Sequence, residues 1–310
     1  MPAAALLDRC TFPPAGTAVT CAVSGGADSL ALLVLAVESG CVVTAIHVDH
    51  GLRPESSGEA EVVAAAAKRF GAQFEARRVV LVAGPNLEAR ARAARFGALP
   101  RDVCTGHTAD DQAETVLLQL MRGAGLAGLA AMRAGVRHPL LALRRTETRA
   151  LCATLGLSPI DDPMNADPAF ARVRVRNELL PLLDEIASRD VVPVLARNAL
   201  LAAEACDALD ACSALIDATD VAALTSAPRP LARWALRRWI VASTDTAYAP
   251  DAGSIERVLT VVDGTVRATE ITGGWRVART TGRLRIEQPV ADQLASTPAW
   301  DASTSTAEES

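Results

Sequence analysis

Six consecutive residues near the N-terminus combine two hydroxyls, two glycines and one carboxylate, a set suited to binding phosphate. They are Ser24, Gly25, Gly26, Ala27, Asp28 and Ser29. The glycines allow backbone angles that other residues avoid, so the main chain can approach a ligand closely. A helix that begins here has unpaired N–H groups in its first turn, and its dipole favours an anion. The alternative is an ordinary turn from strand to helix, in which an Asp or Ser only caps the helix.

This loop has no lysine that could hold the outer phosphates of a nucleotide. A Walker A loop would continue with Gly-Lys-Ser/Thr, whereas the nearest lysine in this chain is Lys68. Asp28 is therefore predicted to act through a Mg²⁺ ion, and Ser24 and Ser29 are predicted to donate hydroxyl hydrogen bonds. The predicted ligand of the loop is a phosphate chain.

A second group of candidate residues follows a short apolar run. His107, Asp111 and Glu114 lie close together in the sequence, and a helix predicted over 110–122 puts the two carboxylates on one face, one turn apart. Two carboxylates so placed could hold a cation or an ammonium group. The alternative is a capping box, in which Asp110 or Asp111 caps the helix and Glu114 reaches back.

Charged residues also share one face of a helix predicted over 89–99. Glu88, Arg92 and Arg95 recur at helical spacing, so they can face a ligand together. The simpler interpretation is an ion pair between Glu88 and Arg92, which stabilises a helix by roughly a few tenths of a kcal/mol.

The apolar run 41–48 predicts a strand that is buried on both faces. His47, Asp49 and His50 suggest a metal site, but neighbours on a strand point to opposite faces of the sheet. We therefore expect the end of this strand, with Val48, to line an adenosine pocket. Ligands of open parallel sheets bind beyond the carboxyl ends of the strands.

The elements that must position these residues alternate between strand and helix along the first half of the chain. Strands are predicted at 18–23, 41–48, 74–82 and 103–106, and later helices at 145–155, 175–186, 192–217, 230–241 and 254–262. This order is typical of an α/β domain with a parallel sheet. We predict that domain over 1–190, a smaller, mainly helical domain with small C-terminal strands over 191–290, and a disordered tail over 291–310.

Composition excludes several classes of protein. The 310 residues exceed a usual single domain of roughly 100–200 residues, which favours two domains. No apolar stretch approaches the roughly 20 residues of a membrane span, and no signal peptide is visible, so we expect a cytoplasmic protein with no membrane partner. The seven cysteines are scattered without a Cys-x-x-Cys pair. They predict buried thiols and neither a disulfide framework nor a zinc or iron–sulfur site.

The basic residues are unusual in type. The net charge of −5 argues against a polyanionic partner, yet all but one of the 31 basic residues are arginine, the better ligand for phosphate. They form groups at Arg90, Arg92 and Arg95; Arg144, Arg145 and Arg149; Arg172, Arg174 and Arg176; and Arg233, Arg237 and Arg238. These groups indicate either a local surface for nucleic acid or exposed helix faces in a chain that prefers arginine.

Several motifs, taken in order, resemble one family. The loop 24–29 resembles the PP-loop of ATP pyrophosphatases, which cut ATP between the α and β phosphates and adenylate a substrate. The other motifs are His-Val-Asp-His-Gly-Leu-Arg-Pro at 47–54, Asn-Leu-Glu-Ala-Arg-Ala-Arg at 86–92, Thr-Gly-His-Thr-Ala-Asp-Asp-Gln-Ala-Glu-Thr at 105–115, Arg-Gly-Ala-Gly-Leu-Ala-Gly-Leu at 122–129, Pro-Leu-Leu at 139–141 and Asp-Asp-Pro-Met-Asn at 161–165. Together they resemble the tRNA(Ile)-lysidine synthetase family, from about residue 18 to 185 and more weakly to 287.

This resemblance implies an ATP-dependent ligase. ATP would adenylate the carbonyl oxygen of the wobble cytidine in the CAU anticodon of tRNA(Ile). The amine of free L-lysine would then displace AMP and form lysidine, which changes codon reading from AUG to AUA. The resemblance thus implies ATP and Mg²⁺ as cofactors and tRNA(Ile) and lysine as partners, and it leaves a homodimer open.

The resemblance also implies a role for each matching residue. It assigns ATP to residues 24–29 and Val48, and the metal to Asp28. It assigns the lysine substrate to Asp111 and Glu114, one of which could take the proton of the amine. The adenylated intermediate would contact His107 and Arg92 or Arg95. Glu88, Arg172 and Arg176 complete the expected substrate-binding set.

Two other functions stay open on the sequence alone. Another PP-loop enzyme that modifies tRNA, such as a thiolase, would share the loop but generally needs a cysteine pair or an iron–sulfur site. An ATP-binding regulatory module would keep the loop and need no acidic pair. Replacing Asp111 or Glu114 by alanine would leave such a module working and would abolish a lysidine synthase.

Overall fold

The computed structural model describes most of the chain as two compact units, Met1–Glu204 and Ala205–Ser310. The described residues are 3–49, 56–79, 94, 97–160, 167–244 and 250–288. The predicted tail 291–310 and most of the predicted helix 89–99 lie outside these residues. None of the described helices is long and apolar enough to cross a lipid bilayer.

The first unit contains a parallel three-stranded sheet. Its strands are β1 (Ala18–Ala22), β2 (Val42–Asp49) and β3 (Gln73–Arg78), in the order β1-β2-β3. Thr44 of β2 lies opposite Thr20 of β1 and Gln73 of β3. The predicted α/β fold with a parallel sheet is therefore confirmed. Because parallel strands end at the same edge, the residues that follow β1 and β2 meet there.

The strand predicted over 103–106 is wrong in extent, because only one of its residues pairs with the sheet. The Cys104 N–H donates to the Thr20 carbonyl at 2.8 Å, and the Cys104 carbonyl accepts from the Ala22 N–H at 2.9 Å. The next residue leaves β1, since the Thr105 N–H donates to the Arg137 carbonyl at 2.9 Å. This single bridge still brings the segment after Cys104 beside the loop that follows β1.

The described residues up to Thr154 contain six helices of four or more residues. They are α1 (Ala4–Leu7), α2 (Ala27–Glu38), α3 (Ser56–Phe70), α4 (Ala109–Met121), α5 (Leu126–Leu129) and α6 (Arg145–Thr154). Helix α2 is apolar almost throughout because it is enclosed, with Leu30, Leu32, Leu33 and Leu35 fully buried in the core. The predicted bounds of α4 and α6 are confirmed to within one residue. The four-residue helices α1 and α5 are too short to leave a periodic pattern.

A continuous helical segment carries the arginines of 171–176. It consists of α7 (Ala171–Arg174), one π-helical stretch (Val175–Leu179) and α8 (Leu180–Ala187). Val175 and Leu180 pack with Ala113 and Leu117 of α4 in one apolar cluster. The cluster holds this segment against α4, and π-helical turns are frequent at functional sites.

Helix α9 (Val192–Ser213) runs from the first unit into the second. The predicted boundary at 190/191 lies just before this helix, whereas the compact units divide within it. The beginning of α9 belongs to the first unit because Val192 and Leu195 pack in the cluster around α4.

The second unit is helical and ends in a small antiparallel sheet, as predicted. Its elements are α10 (Val221–Ser226), α11 (Arg229–Thr244), α12 (Ala252–Val262), β4 (Ala268–Glu270), β5 (Arg276–Thr280) and β6 (Arg283–Glu287). The strands pair in the order β4-β5-β6. Leu236, Val258 and Val277 lie in its core, which Trp239 also contacts.

Candidate active site

The loop between β1 and α2 is shaped by its glycines and by its two serines. Gly25 has a φ of +88°, which side-chain-bearing residues rarely adopt, and Gly26 is the N-cap of α2. The Ser24 N–H donates to Ser29 Oγ at 3.1 Å, and Ser29 Oγ donates to the Gly26 carbonyl at 2.8 Å. No side chain among the described residues caps α2 at Gly26. The alternative of a turn built around a capping Asp or Ser is therefore wrong, and the geometry suits an anion.

Gly106 lets the second predicted group of residues approach this loop. A Cβ atom at Gly106 would lie only 2.6 Å from the Asp28 carbonyl oxygen, so a larger residue would force the two segments apart. The residues at 107–114 therefore begin against the first turn of α2. The two groups of candidate residues therefore lie together in the structure.

Asp28 is the acidic residue of the loop. The Thr148 hydroxyl of α6 donates to one carboxylate oxygen, and Arg145 Nε lies 3.5 Å from the other. Burial raises the pKa of Asp28, and the nearby charge of Asp111 raises it further. The contacts with Thr148 and Arg145 lower the pKa without restoring its usual value. The ionised carboxylate thus carries negative charge that the surrounding residues compensate incompletely.

Asp111 lies in the first turn of α4 and belongs to a capping box. Thr108 is the N-cap, and its backbone N–H donates to Asp111 Oδ2 at 2.9 Å. The predicted box, with Asp110 or Asp111 as the cap and Glu114 reaching back, is therefore wrong. Burial raises the pKa of Asp111, but the charges of Arg145 and Arg172 and the Thr108 N–H outweigh it, so the pKa is lowered.

Glu114 is fully buried and forms ion pairs with three arginines. Its carboxylate lies 3.1 Å from Arg145 Nη1, 2.8 Å from Arg172 Nε and 2.7 Å from Arg176 Nε. Two of the predicted substrate-binding arginines thus meet one of the predicted substrate-binding acids. The arrangement is an acid–arginine cluster, which we define as Asp28, Asp111, Glu114, Arg145, Arg172 and Arg176.

Arg145 joins the parts of this cluster. Its guanidinium contacts Asp28 at 3.5 Å, Asp111 at 2.9 Å and Glu114 at 3.1 Å. Burial lowers the pKa of Arg145, and the surrounding acids raise it by more, so the side chain stays charged. Sequence reasoning had placed Arg145 only in an arginine group and had missed Thr148. Their spacing of three residues in the first turn of a predicted helix was the available signal.

A hydroxyl links two histidines near the same loop. Thr105 Oγ1 lies 2.7 Å from His107 Nδ1, 2.8 Å from His138 Nδ1 and 3.1 Å from the Arg137 carbonyl. The two imidazole rings meet edge to face, with centroids 5.2 Å apart. Burial and the nearby Arg137 lower the pKa of His138. His138 and Thr105 were not among the predicted site residues.

The end of β2 gives less information about ligand binding. Val48 packs against the apolar cluster of Ile46, Leu99 and Val103, and its predicted contact with adenosine stays a prediction. His47 is buried with Nδ1 3.0 Å from the Val23 carbonyl, and its Nε2 has no hydrogen-bond partner among the described residues.

Some predicted site residues cannot be placed. Glu88, Arg92 and Arg95 lie outside the described residues, as does His50 of the suggested metal site. Within the described ranges, no group of three or more His, Cys, Asp or Glu residues could hold a metal ion by itself.

The cysteines form no disulfide, and all seven lie in the described ranges. Five of them are buried as predicted, whereas Cys10 is half-buried and Cys212 is exposed. The prediction of buried thiols is therefore wrong for these two residues.

Comparison with known proteins agrees with the geometry of the loop. A family model described as a PP-loop domain matches residues 4–183. The tRNA(Ile)-lysidine synthase of Nocardia farcinica is 43% identical over 291 residues, covering 89% of this chain and 90% of the relative. Those of Rhodococcus erythropolis and Salinispora tropica are 45% and 41% identical, covering 72% and 88% of this chain and 74% and 91% of the relatives. The chain therefore belongs to the tRNA(Ile)-lysidine synthase family.

Proposed function

We propose that this chain uses ATP to join free L-lysine to the wobble cytidine of the CAU anticodon of tRNA(Ile). The products are AMP, pyrophosphate and a tRNA that carries lysidine. The observation that supports this site most strongly is the position of Arg145, whose guanidinium contacts the acid of the phosphate loop and both acids of α4. One charged cluster thus serves the nucleotide and the incoming amine.

The triphosphate of ATP binds at the beginning of α2 in this proposal. The N–H groups of the first helical turn and the dipole of α2 attract the phosphates. The hydroxyls of Ser24 and Ser29, which are 3.2 Å apart, orient the loop around them. The loop has no lysine, and among the described residues Arg145 is the cation nearest to its carboxylate, at 3.5 Å.

Asp28 fits the requirements of a Mg²⁺ ligand. Magnesium in nucleotide sites is usually held by one or two carboxylates together with substrate phosphates and water. The side chain of Asp28 is 25% exposed, and its negative charge is incompletely compensated, so a cation is favourable there. A bound Mg²⁺ would supply neutralisation of charge on the leaving pyrophosphate. Asp28 itself would bind and orient that ion.

The acids of α4 receive the lysine substrate, with different roles. Asp111 is 13% exposed and contacts one arginine closely, so we assign the ammonium group to it. Glu114 is fully buried among three guanidinium groups, so we assign it to holding Arg145, Arg172 and Arg176 in place. The lowered pKa of Asp111 makes it a weak proton acceptor. This argues against the expectation that an acid of this pair takes the proton of the amine.

The remaining parts of the proposal concern tRNA and cellular context. Arg172 and Arg176 offer guanidinium groups to the lysine carboxylate or to a phosphate of tRNA. His107, with Arg92 or Arg95, would contact the adenylated cytidine. The division into a catalytic domain (1–190) and a tRNA-binding domain (191–290), action in the cytoplasm, and a homodimer belong to the same proposal.

The test is transfer of labelled lysine to tRNA(Ile) bearing a CAU anticodon, in the presence of ATP and Mg²⁺. The wild-type chain should place label on the tRNA and release one AMP per lysine. D111N and E114Q should lower this rate by about 100-fold or more, because both acids contact groups that hold charge at the reacting centre. E178Q is the matched control, because Glu178 forms an exposed pair with Arg174 on the neighbouring helical segment.

Two results would contradict the proposal. The first is release of pyrophosphate with another acceptor and no label on tRNA(Ile), which would favour a different PP-loop reaction. The second is a wild-type rate in D111N and E114Q, which would leave the reaction in place but remove the assigned site.

A further inference from the structure

The Thr105 hydroxyl has three polar neighbours and one hydrogen atom. A hydroxyl can donate once and accept twice, whereas a carbonyl can only accept. The Arg137 carbonyl, 3.1 Å away, must therefore receive the hydroxyl hydrogen if all three contacts are hydrogen bonds. The Nδ1 atoms of His107 and His138, at 2.7 and 2.8 Å, must then both donate to Thr105 Oγ1.

This count of donors and acceptors determines which ring nitrogen of each histidine carries a proton. A neutral histidine carries one N–H, so a proton on Nδ1 leaves Nε2 as a hydrogen-bond acceptor. His138 favours the neutral form, since burial and the neighbouring Arg137 both lower its pKa. Its Nδ1–H occupies one lone pair of the Thr105 oxygen, which directs the hydroxyl hydrogen to Arg137.

The position of His107 connects this arrangement to the reaction. His107 follows Gly106, which packs against the backbone of Asp28, and it precedes Thr108, whose capping box holds Asp111. Its ring is close enough to Asp111 for a positive charge on the protonated imidazole to lower the pKa of that carboxyl. Asp111 and Glu114 both accept hydrogen bonds from arginines, so neither is suited to take a proton.

We propose that Thr105 is a positioning residue that keeps the proton of His107 on Nδ1, so that Nε2 of His107 accepts the proton of the incoming lysine amine. The inference rests on the proposed function and adds a proton acceptor to it. The lysine ammonium passes one proton to Nε2, and its nitrogen bonds to C2 of the cytosine. The bond from C2 to the adenylated oxygen then breaks, and AMP leaves with that electron pair.

The spectroscopic test needs neither ATP nor tRNA. The ¹⁵N resonances of histidine ring nitrogens distinguish protonated from unprotonated atoms, and the chain has only four histidines to assign. Wild-type His107 and His138 should both show a protonated Nδ1 and an unprotonated Nε2. In T105V, which removes the hydroxyl and keeps the shape, His107 should show a mixture of both tautomers. T105S keeps the hydroxyl and should restore the wild-type pattern.

The kinetic test separates the two steps of the reaction. T105V should slow transfer of lysine to adenylated tRNA by roughly 10-fold or more, since correct orientation of a general base is lost. The rate of adenylate formation, measured as release of pyrophosphate, should stay within about threefold of the wild-type rate because Nε2 is needed only for transfer. T154V is the matched control, because the Thr154 hydroxyl donates to the Ala150 carbonyl of its own helix at 2.8 Å.

Two outcomes would overturn the inference. One is a wild-type His107 with its proton on Nε2, and the other is a T105V variant that slows both steps equally with unchanged histidine tautomers. The first can be recognised even if T105V folds poorly, because it is read from the wild-type spectrum alone. A wild-type chain that places no lysine on tRNA would contradict the proposed function instead, and the tautomers would still decide the role of Thr105.

Discussion

The arginines of the two units are engaged in different ways. In the first unit Arg145, Arg172 and Arg176 converge on Glu114, which is fully buried. In the second unit Arg229, Arg233 and Arg283 each pair with one acid, namely Asp263, Glu256 and Asp217, and every one of these side chains is between 41% and 58% exposed. Groups of arginines that look equivalent in the sequence therefore serve either an internal cluster or the surface.

The difference has an energetic meaning. An exposed ion pair gains little because water screens it and its side chains lose freedom. A buried pair has a large desolvation cost, and removing one partner leaves a charge that nothing compensates. Substitutions should therefore separate the acid–arginine cluster sharply from the exposed pairs, and the cluster should respond most.

The largest effect is expected from E114A. Removal of this carboxylate leaves three guanidinium groups facing one another in a buried site, which should lower the free energy of unfolding by about 3–5 kcal/mol. Urea unfolding followed by circular dichroism would measure this loss. E178A, which breaks an exposed pair, should leave the urea midpoint unchanged within error. Equal midpoints for the two variants would show that burial does not distinguish these acids.

The next effect is expected from R145Q, which removes the link between Asp28 and the acids of α4. Three acids lose a shared cation, so lysine transfer should fall by about 100-fold and stability by about 2–3 kcal/mol. R145K should recover only part of the activity, because a lysine ammonium cannot reach three carboxylates as a planar guanidinium does. R174Q is the matched control on the neighbouring segment. A fully active R145K variant would show that Arg145 contributes only its positive charge and not the geometry of its guanidinium group.

The sequence predicted the acids of this cluster better than their partners. Asp111 and Glu114 could be paired because helical spacing puts them on one face of a single element. Arg145 and Thr148 lie on α6, which meets α2 and α4 only through tertiary packing. Their spacing puts them on one face of α6 but does not report which element that face meets, so their contacts with the acids were missed.

The fold shows the same limit. The strands β1 and β2 were predicted because their apolar runs are continuous. The expected burial of β2 on both faces is wrong at its beginning, where Val42 is exposed, and only alternate residues of β1 are fully buried. The strand at 103–106 was overextended because the Thr105 N–H bonds to the Arg137 carbonyl, and residues far apart in the sequence make that bond. Polarity and periodicity thus determine elements, while the residue at which an element stops depends on a partner from elsewhere.

Smaller changes in stability, opposite in sign, are expected from substituting the two aspartates that contact Arg145. Asp28 has a raised pKa, so its ionised form costs folding free energy, and D28N should stabilise the protein at pH 7 by about 1 kcal/mol while abolishing activity. Asp111 has a lowered pKa, so D111N should destabilise the protein by about 1–2 kcal/mol. Thermal unfolding between pH 4 and pH 8 would measure both.

The pH dependence follows from the sign of each shift. The contribution of Asp111 is present above its unfolded pKa, about 3.9, and is lost as the pH falls through the lower folded value. The penalty from Asp28 grows as the pH rises above the unfolded pKa, about 3.9, and is complete above the raised folded value, so the advantage of D28N should shrink towards pH 4. A D28N variant that is less stable than wild type at pH 7 would mean that Arg145 compensates Asp28 fully.

The smallest effect is expected from R233Q in the second unit. Arg233 pairs with Glu256 at 2.6 Å, and both side chains are nearly half exposed, so the urea midpoint should not move. If the exposed arginines of α11 contact tRNA phosphates, R233Q should weaken tRNA binding a few-fold for every tRNA tested. It should also reduce the slope of log affinity against log salt by about 1. R283Q, in an exposed pair on β6, is the matched control for loss of one positive charge. Equal losses in both variants would indicate a general effect of net charge, whereas a loss confined to R233Q would locate one phosphate contact on α11.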